Sequence, residues 1–256
     1  MVDGQGTSAD RIALLGHSTV LIELDGVALL TDPLLRGRVA HLRRRVPPAD
    51  LRLAGRADAV LISHVHHDHL DPPSLRLLGR DTPIVVPRGA GAWLRDRGFT
   101  TVTELGVGDR LEIRAITVTA VQARHHGHRY PRGPRAESIG YVVRGSRTVY
   151  FAGDTEVFEG MSALSADIDV ALLPVAGWGP RLGPGHMDPL DAAQAVKMLS
   201  PHVAVPIHWG TLRPMGLARR RRAWLDDPPH LFARDVARVA PSTAVRIIAP
   251  GEETPL

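Results

Sequence analysis

The 256-residue sequence has no cysteine, one lysine and no long hydrophobic run. Without thiolates, any metal site must use histidine and carboxylate side chains. No stretch approaches the ~18 apolar residues of a membrane span, and the polar start of the chain lacks the basic and apolar regions of a signal peptide. We therefore expect a cytoplasmic protein without a transmembrane segment.

Because lysine is nearly absent, arginine supplies the positive charge: Lys197 is the only lysine, although the net charge is +4 and the pI is near 10.2. A GC-rich genome replaces lysine by arginine throughout, so most of these charges are interpreted as solvated surface, and no specific nucleic-acid partner follows from pI alone. The length predicts a single domain over 1–256, built from two halves of about 1–135 and 136–256.

Hydrophobic patterning predicts strands and helices along the chain. Strands are expected at residues 11–15, 19–24, 27–31, 116–121, 138–143, 148–151, 169–173 and 203–207, with a closing strand at 245–248. Helices are expected at 72–78, 89–97, 189–199 and 231–239. The stretch 34–48 is rich in arginine and contains two prolines, and it is interpreted as a long loop.

Histidine is concentrated in one short segment. A strand-like apolar run leads into His64-Val65-His66-His67-Asp68-His69. His64 and His66 are two apart in an extended segment, so they project to one side and can share a zinc ion. Asp68 and His69 fall on the following turn and can serve a second ion, as in two-metal hydrolysis. A surface histidine run is the alternative, but Asp71-Pro72 starts a helix directly afterwards, which places the histidines at the carboxyl end of a strand.

This segment resembles the His-x-His-x-Asp-His motif of the metallo-β-lactamase superfamily, and later segments follow in the order expected for it. His125 ends an Ala-x-His pattern after a strand, Asp154 lies in a Gly-Asp-Thr turn, and His208 follows the last core strand. The resemblance covers about residues 11–211. It implies an α/β (α+β) fold, a four-layer αββα sandwich with a dinuclear zinc site at one edge.

The resemblance implies a ligand set for two Zn²⁺ ions, with Mn²⁺ or Fe²⁺ as alternatives. These ligands are His64, His66, Asp68, His69, His125, Asp154 and His208. Asp154 would bridge both ions, and His126 stays open as an alternative to His125 or as a pocket residue. A redox di-iron site is disfavoured, because that branch of the superfamily replaces a motif histidine by a carboxylate.

Such a dinuclear zinc site would lower the pKa of bound water and so present hydroxide to an ester or phosphoryl centre, with Asp68 and Asp154 in the catalytic centre. His186 is expected in the pocket, contacting substrate or protonating a leaving group, with helix capping as the alternative. His17 is expected near the metal edge, either capping its turn or contacting a ligand, and Asp32 could orient a metal-bound histidine. The His17 turn and the segments around His186 and His208 are most similar to the branch of L-ascorbate-6-phosphate lactonases and N-acylphosphatidylethanolamine-hydrolysing phospholipase D.

Two arginine-rich segments, 36–45 and 219–222, flank the metal motifs in sequence. If they fold over the site, Arg43, Arg44 and Arg45 could hold phosphate oxygens, and Trp178 could add an apolar side. We therefore expect an anionic small-molecule substrate, a phosphodiester before a lactone or other carboxylic ester. A non-catalytic metal-binding protein that retains the fold is the alternative of another class. A homo-oligomer stays open.

Overall fold

Short apolar runs fold as strands, and amphipathic runs fold as helices, over residues 10–164, 167–217 and 222–256, which the computed structural model describes. In chain order the strands are β1 (Arg11–Gly16), β2 (Thr19–Leu24), β3 (Val27–Thr31), β4 (Arg38–Val39), β5 (Leu42–Arg44), β6 (Ala59–Leu61), β7 (Ile84–Pro87), β8 (Val102–Leu105), β9 (Arg110–Ile113), β10 (Ile116–Gln122), β11 (Ile139–Arg144), β12 (Thr148–Phe151), β13 (Val170–Pro174), β14 (Val203–Ile207), β15 (Leu212–Pro214), β16 (Ala244–Val245) and β17 (Glu253–Pro255). The helices are α1 (Leu51–Ala54), α2 (Pro72–Leu78), α3 (Gly91–Arg95), α4 (Pro189–Leu199), α5 (Ala223–Asp226) and α6 (Pro228–Val239), with a 3-10 helix at Glu159–Leu164.

The described strands form two seven-stranded sheets and one small sheet. The first sheet has the order β17-β1-β2-β3-β6-β7-β8, and the second has the order β16-β14-β13-β12-β11-β10-β9. β3, β6, β7 and β8 are mutually parallel, as are β12, β13, β14 and β16. The carboxyl ends of β3 and β6 in one sheet, and of β10, β12 and β14 in the other, therefore reach one edge, where open sheets bind ligands.

Apolar side chains fill three layers of core around these sheets. Ile22 and Val205 belong to the cluster between the two sheets. Leu75 of α2 belongs to the cluster on the outer face of the first sheet, and Val196 of α4 and Phe232 of α6 belong to the cluster on the outer face of the second. Each fully buried side chain of this size contributes about 1.5–3 kcal/mol. The layers run helix, sheet, sheet, helix, as the resemblance implies.

Side-chain caps begin the two helices that follow candidate site residues. The Asp71 carboxylate accepts from Ser74 N at 3.0 Å, and Pro72 opens α2. Asp188 and Asp191 form a capping box at the start of α4. These caps satisfy otherwise unpaired amide groups and so stabilise the helix starts beside the strand ends.

Besides the bounds of α3 and α6, which were expected at 89–97 and 231–239, three expectations about the strands and sheets differ from the structure. The stretch 34–48 is not one long loop, because β4 and β5 pair with each other and β5 pairs with β15. Leu34, Val39, Leu42 and Leu212 bury one face of this small sheet. The closing strand is shorter than expected, with β16 at Ala244–Val245. The sheets also divide between β8 and β9 rather than near residue 135, and β17 returns to the first sheet.

None of the helices in the described ranges is long and apolar enough to cross a membrane.

Candidate metal centre

Three imidazoles converge where β6 and β10 end. His66 Nδ1 lies 3.0 Å from His64 Nε2 and 3.0 Å from His125 Nε2. His64 and His66 follow β6 in the first sheet, and His125 follows β10 in the second, so this first cluster spans the two sheets. Its three nitrogen atoms are close enough to hold one metal ion.

A second cluster lies beside the first and contains a carboxylate. Its ligand atoms, from His17, Asp68, His69 and His208, all lie within 4.8 Å of one another. His69 Nε2 and His208 Nε2 are 3.2 Å apart. This set of nitrogen and oxygen donors is suited to a second ion.

Asp154 lies between the two clusters. Its Oδ2 is 3.3 Å from His69 Nε2, 3.3 Å from His208 Nε2 and 4.0 Å from His64 Nε2. Its Oδ1 is buried without a hydrogen-bond partner among the described residues. Gly153 permits this approach, because its φ is +62° and a Cβ there would lie 2.5 Å from Ser63 Cβ.

Four of the imidazoles are fixed through the ring nitrogen that points away from the clusters. The pairs are His64 Nδ1 with Ser63 Oγ at 3.0 Å, His69 Nδ1 with Asp32 Oδ2 at 2.7 Å, His125 Nδ1 with Gly185 O at 2.7 Å, and His208 Nδ1 with Ala176 O at 2.7 Å. Carboxylate and carbonyl oxygens only accept, so those Nδ1 atoms carry a proton, and whenever such a ring is neutral its lone pair on Nε2 faces inward. Metal-binding histidines in proteins are oriented in this way.

Asp32 and Ser63 extend this orientation to both clusters. Ser63 Oγ donates to Asp32 Oδ2 at 2.6 Å, so it must accept from His64 Nδ1. Ser63 N donates to Asp32 Oδ1 at 2.7 Å. The Asp32 carboxylate therefore fixes His69 directly and His64 through Ser63. Asp32, His17 and His208 all have positive φ, which is uncommon outside glycine and concentrates at functional sites.

The protonation states also suit metal binding. Burial lowers the pKa of His66 to about 4 and that of His208 to about 3, and it lowers the pKa of His64 and His125. These imidazoles are therefore neutral at pH 7, as ligands must be. For His69, burial acts in the same direction, but the charges of Asp154, Asp32 and Asp68 outweigh it and raise the pKa well above its usual value.

The carboxylates in this centre are strongly acidic. Burial alone would raise the pKa of Asp68 and of Asp154, but the surrounding imidazoles hold both values well below the usual range. Both side chains are thus negative at neutral pH in a buried site that is otherwise made of imidazoles. The inward lone pairs of the neutral imidazoles, the unpartnered Asp154 oxygen and the two buried carboxylates all fit a pair of bound cations.

His17 and His186 each lie beside one of the two carboxylates of the centre. His17 Nε2 lies 3.0 Å from Asp68 Oδ2, and its ring centroid is 4.0 Å from that of His208. His186 Nε2 lies 3.5 Å from Asp154 Oδ2, while its Nδ1 faces the carbonyl oxygens of Gly183 and Pro184 at 3.1 and 3.2 Å. The His17 side chain thus contacts a candidate ligand, while its backbone N donates to Thr211 Oγ1 at 2.7 Å.

A cavity of about 620 Å³ opens above the centre. Asp68, Asp154, His186 and His208 lie on its lining. Its apolar walls come from the β4–β5 hairpin, from Tyr130 and Pro131, and from the loop that carries Trp178 and Leu182. The Trp178 ring meets the His41 ring edge-on at 4.8 Å between centroids.

The arginines expected to bind substrate do not line this cavity. Arg43 is exposed on β5, and Arg45 pairs with Asp226 at 2.7 Å. The Arg44 guanidinium is buried and donates to the carbonyl oxygens of Pro47 at 2.8 Å, Leu34 at 3.2 Å and Leu15. The Arg44 and Arg45 guanidinium groups thus bind the protein itself, and the stretch folds as a hairpin rather than as a loop over the site. Residues 219–221 of the second basic segment lie outside the described residues.

His126 is exposed, and His125 occupies the inward position in the first cluster. Among the described residues that line the cavity, the arginine is Arg181, which sequence reasoning did not single out. Ser63 was also missed. Its bond to Asp32 depends on β3 and β6 being neighbours, and a sequence pattern does not give strand order.

The four-layer fold and the His/Asp clusters together define a metalloprotein of the metallo-β-lactamase type. The sequence profile of the "Beta-lactamase superfamily domain" matches residues 28–209, so the chain belongs to that superfamily. It is 31% identical to a UPF0173 metal-dependent hydrolase of Methanopyrus kandleri, over 94% of this chain and 98% of the relative. It is 32% identical to the N-acyl-phosphatidylethanolamine-hydrolyzing phospholipase D 1 of Caenorhabditis elegans, over 79% of this chain and 64% of that enzyme.

A solved structure with a similar fold is Igni18, described as a novel metallo hydrolase from the archaeon Ignicoccus hospitalis. It matches with a TM-score of 0.73 at 23% identity and covers 97% of this chain and 99% of its own. The fold implied by the motif resemblance is thereby confirmed. The chain spans about two thirds of some curated relatives, for example 66% of a Mycobacterium tuberculosis protein to which it is 34% identical.

Proposed function

We propose that the protein is a hydrolase that uses two metal ions, zinc before manganese or iron, on an anionic substrate that contains a phosphodiester. The observation that carries this proposal is the position of Asp154, which lies between two sets of inward-facing imidazoles beneath a cavity. His64, His66 and His125 would hold one ion, Asp68, His69 and His208 would hold the other, and Asp154 would contact both. Bound ions would polarise a phosphoryl or ester oxygen and lower the pKa of water toward ~7.

The protein's own side chains orient this chemistry. Asp32 and the Ala176 carbonyl hold His69 and His208 so that Nε2 faces the centre. His17 Nε2–H donates to Asp68 and fixes that carboxylate. Removal of such an orienting partner typically lowers metal affinity or activity by about 10–100-fold, which corresponds to a free-energy loss of about 1.4–2.8 kcal/mol.

His186 is proposed as the residue that moves a proton. Carbonyl oxygens face its Nδ1, so that atom carries a proton, and Nε2 faces the cavity beside Asp154. From this position a protonated Nε2 can donate to a leaving-group oxygen. His186→Ala should therefore lower turnover while both metal ions remain bound. Lost metal would instead indicate that His186 is a ligand.

Substrate class is proposed from the cavity wall and from the relatives. Arg181 lies on the cavity lining, where it can pair with an anionic oxygen, and the apolar walls suit a hydrophobic substituent. The nematode relative is named for hydrolysing a phosphodiester lipid. The largely apolar walls also favour a second candidate, hydrolysis of a lactone or another neutral ester.

Comparing hydrolysis of bis(p-nitrophenyl) phosphate with hydrolysis of simple lactones and p-nitrophenyl esters tests this choice. Arg181→Ala should raise the KM for the phosphodiester by about tenfold, a loss of ~1.4 kcal/mol. Arg43→Ala is the matched control, because Arg43 is an exposed arginine of the neighbouring hairpin that does not line the cavity. Faster lactone hydrolysis that is indifferent to Arg181 would favour the esterase, and silence on every substrate by a metal-loaded protein would favour a non-catalytic binder.

A further inference from the structure

Arg129 is a buried arginine whose guanidinium faces the backbone of residues 62–71, the metal-binding segment, which carries His64, His66, Asp68 and His69. It is 6% exposed, and its Nη1 donates to Leu70 O at 2.7 Å, Val65 O at 3.0 Å and His66 O at 3.4 Å. The carbonyls belong to the segment between β6 and α2, which is neither strand nor helix. Its backbone groups therefore need partners from outside a ladder, and Arg129 supplies them.

The identity of this side chain matters for such a contact. Burying a cation is costly unless its donors are satisfied. A guanidinium presents several N–H groups in a rigid plane, so it can reach separate carbonyls at once, whereas a lysine ammonium is a compact point charge on a flexible stem. Gly133 leaves room for the stem, since a Cβ there would lie 2.6 Å from Arg129 side-chain carbons.

The other edge of the guanidinium reaches the cavity wall. Arg129 Nη2 donates to His67 Nδ1 at 3.0 Å, and His67 Nε2 in turn donates to Tyr130 O at 3.2 Å. His67 and Tyr130 both line the cavity. Arg129 thus connects the metal-binding segment to the loop that follows His125.

This connection crosses between the two sheets at the point where the first cluster is assembled. Two other hydrogen bonds join the sheets nearby, from Tyr141 Oη to Ile62 O at 2.7 Å and from Ile139 N to Ser63 O at 3.0 Å. Both of these hydrogen bonds end on carbonyl oxygens of residues that precede His64. The hydrogen bonds from Arg129 Nη1 end on carbonyl oxygens that follow His64, including that of His66.

We propose that Arg129 is a positioning residue for the first metal-binding cluster, holding the segment that carries His64 and His66 against the segment that carries His125. The inference rests on the metal binding in the proposed function and not on hydrolysis. Removing the guanidinium should loosen the relative placement of three ligands without removing any of them. The expected loss of affinity at that cluster is about 10–100-fold.

The test uses Arg129→Met, which keeps the apolar stem, and Arg129→Lys, which keeps the charge. Arg97→Met is the matched control. Arg97 stacks on the Trp93 ring at 3.7 Å while Arg129 lies 5.0 Å from the same ring, and the hydrogen bond from Arg97 goes to Trp93 O instead of the metal-binding segment. Zinc affinity is measured by chelator competition, Co²⁺ geometry by visible absorption, and unfolding free energy by urea titration.

We expect Arg129→Met to lower the affinity for one of the two zinc ions and to alter the Co²⁺ spectrum. Arg129→Lys should retain part of the affinity that the methionine variant loses, and Arg97→Met should change neither the affinity nor the spectrum. In a His125→Ala background, where the first cluster is already incomplete, Arg129→Met should have no further effect on the ion at the second cluster. Wild-type affinity and spectrum in Arg129→Met would overturn the inference, as would equal losses in the Arg97 control. Should the methionine variant fail to fold, wild-type zinc affinity in Arg129→Lys overturns it. A protein that binds two ions as predicted but hydrolyses nothing would refute the proposed hydrolase alone.

Discussion

Two replacements of Asp32 distinguish its effect on the orientation of the candidate ligands from its effect on the stability of the fold. Its buried carboxylate accepts from Ser63 N, Ser63 Oγ and His69 Nδ1 at 2.6–2.7 Å. Asp32→Asn preserves shape, and asparagine tolerates the positive φ of this position. The new amide N–H₂ group cannot accept from His69, so the ring would move its proton to Nε2, the atom that must face the metal.

We therefore expect Asp32→Asn to weaken metal binding by about 10–100-fold, or ~1.4–2.8 kcal/mol, with a smaller change in the unfolding of the metal-free protein. Asp32→Ala should also destabilise the metal-free fold by several kcal/mol, because each buried group left unpaired costs about 1–3 kcal/mol. Chelator competition and urea unfolding of the metal-free proteins measure the two effects.

Asp58→Asn is the control for this experiment. Asp58 accepts from Ala28 N at 2.8 Å near the opposite end of β3, and it pairs with Arg114 at 3.0 Å. It should change stability and leave metal affinity intact. Wild-type zinc affinity in Asp32→Asn would refute the argument that Asp32 sets the tautomer of His69.

Three further predictions concern protonation and backbone. The metal-free protein should lose stability as pH falls from about 6.5 toward 4. The folded-state pKa values of His66 (about 4) and His208 (about 3) lie below the unfolded value, so the unfolded chain binds more protons in this range. Urea unfolding midpoints at pH 7.5 and pH 5 measure this loss. Zinc binding should release about one proton at neutral pH, because His69 has a raised pKa and must give up the proton on Nε2; calorimetry in buffers of different ionisation enthalpy would show it, and a buffer-independent enthalpy would contradict it. Gly153→Ala should cost more stability than Gly26→Ala in thermal unfolding, because both have positive φ but a Cβ meets Ser63 at position 153 and nothing within 4 Å at position 26.

Sequence patterns predicted most of the strands and the strand ends at which the candidate ligands lie, because both depend on local sequence. β2, β3, β12 and β14 have the predicted bounds, since each is an apolar run closed by a turn or loop. The β4–β5 hairpin was missed because its burial depends on Leu212, which is distant in the chain. The pairing of β10 with β11 likewise draws residues before 135 into the second sheet.

The same distinction explains why candidate ligands could be named from sequence while substrate residues could not. A ligand position is a strand end, which a short motif marks, and parallel strands carry all such ends to one edge. A cavity wall is made by loops from separate parts of the chain, so its residues meet only when the strand order is known. Arg44 illustrates the consequence: its charge suggested phosphate binding, but its partners are the carbonyl oxygens of Leu15, Leu34 and Pro47. Leu15 directly precedes Gly16 and His17, so this buried hydrogen bond lies next in the chain to a residue of the second cluster while the guanidinium itself stays away from the cavity.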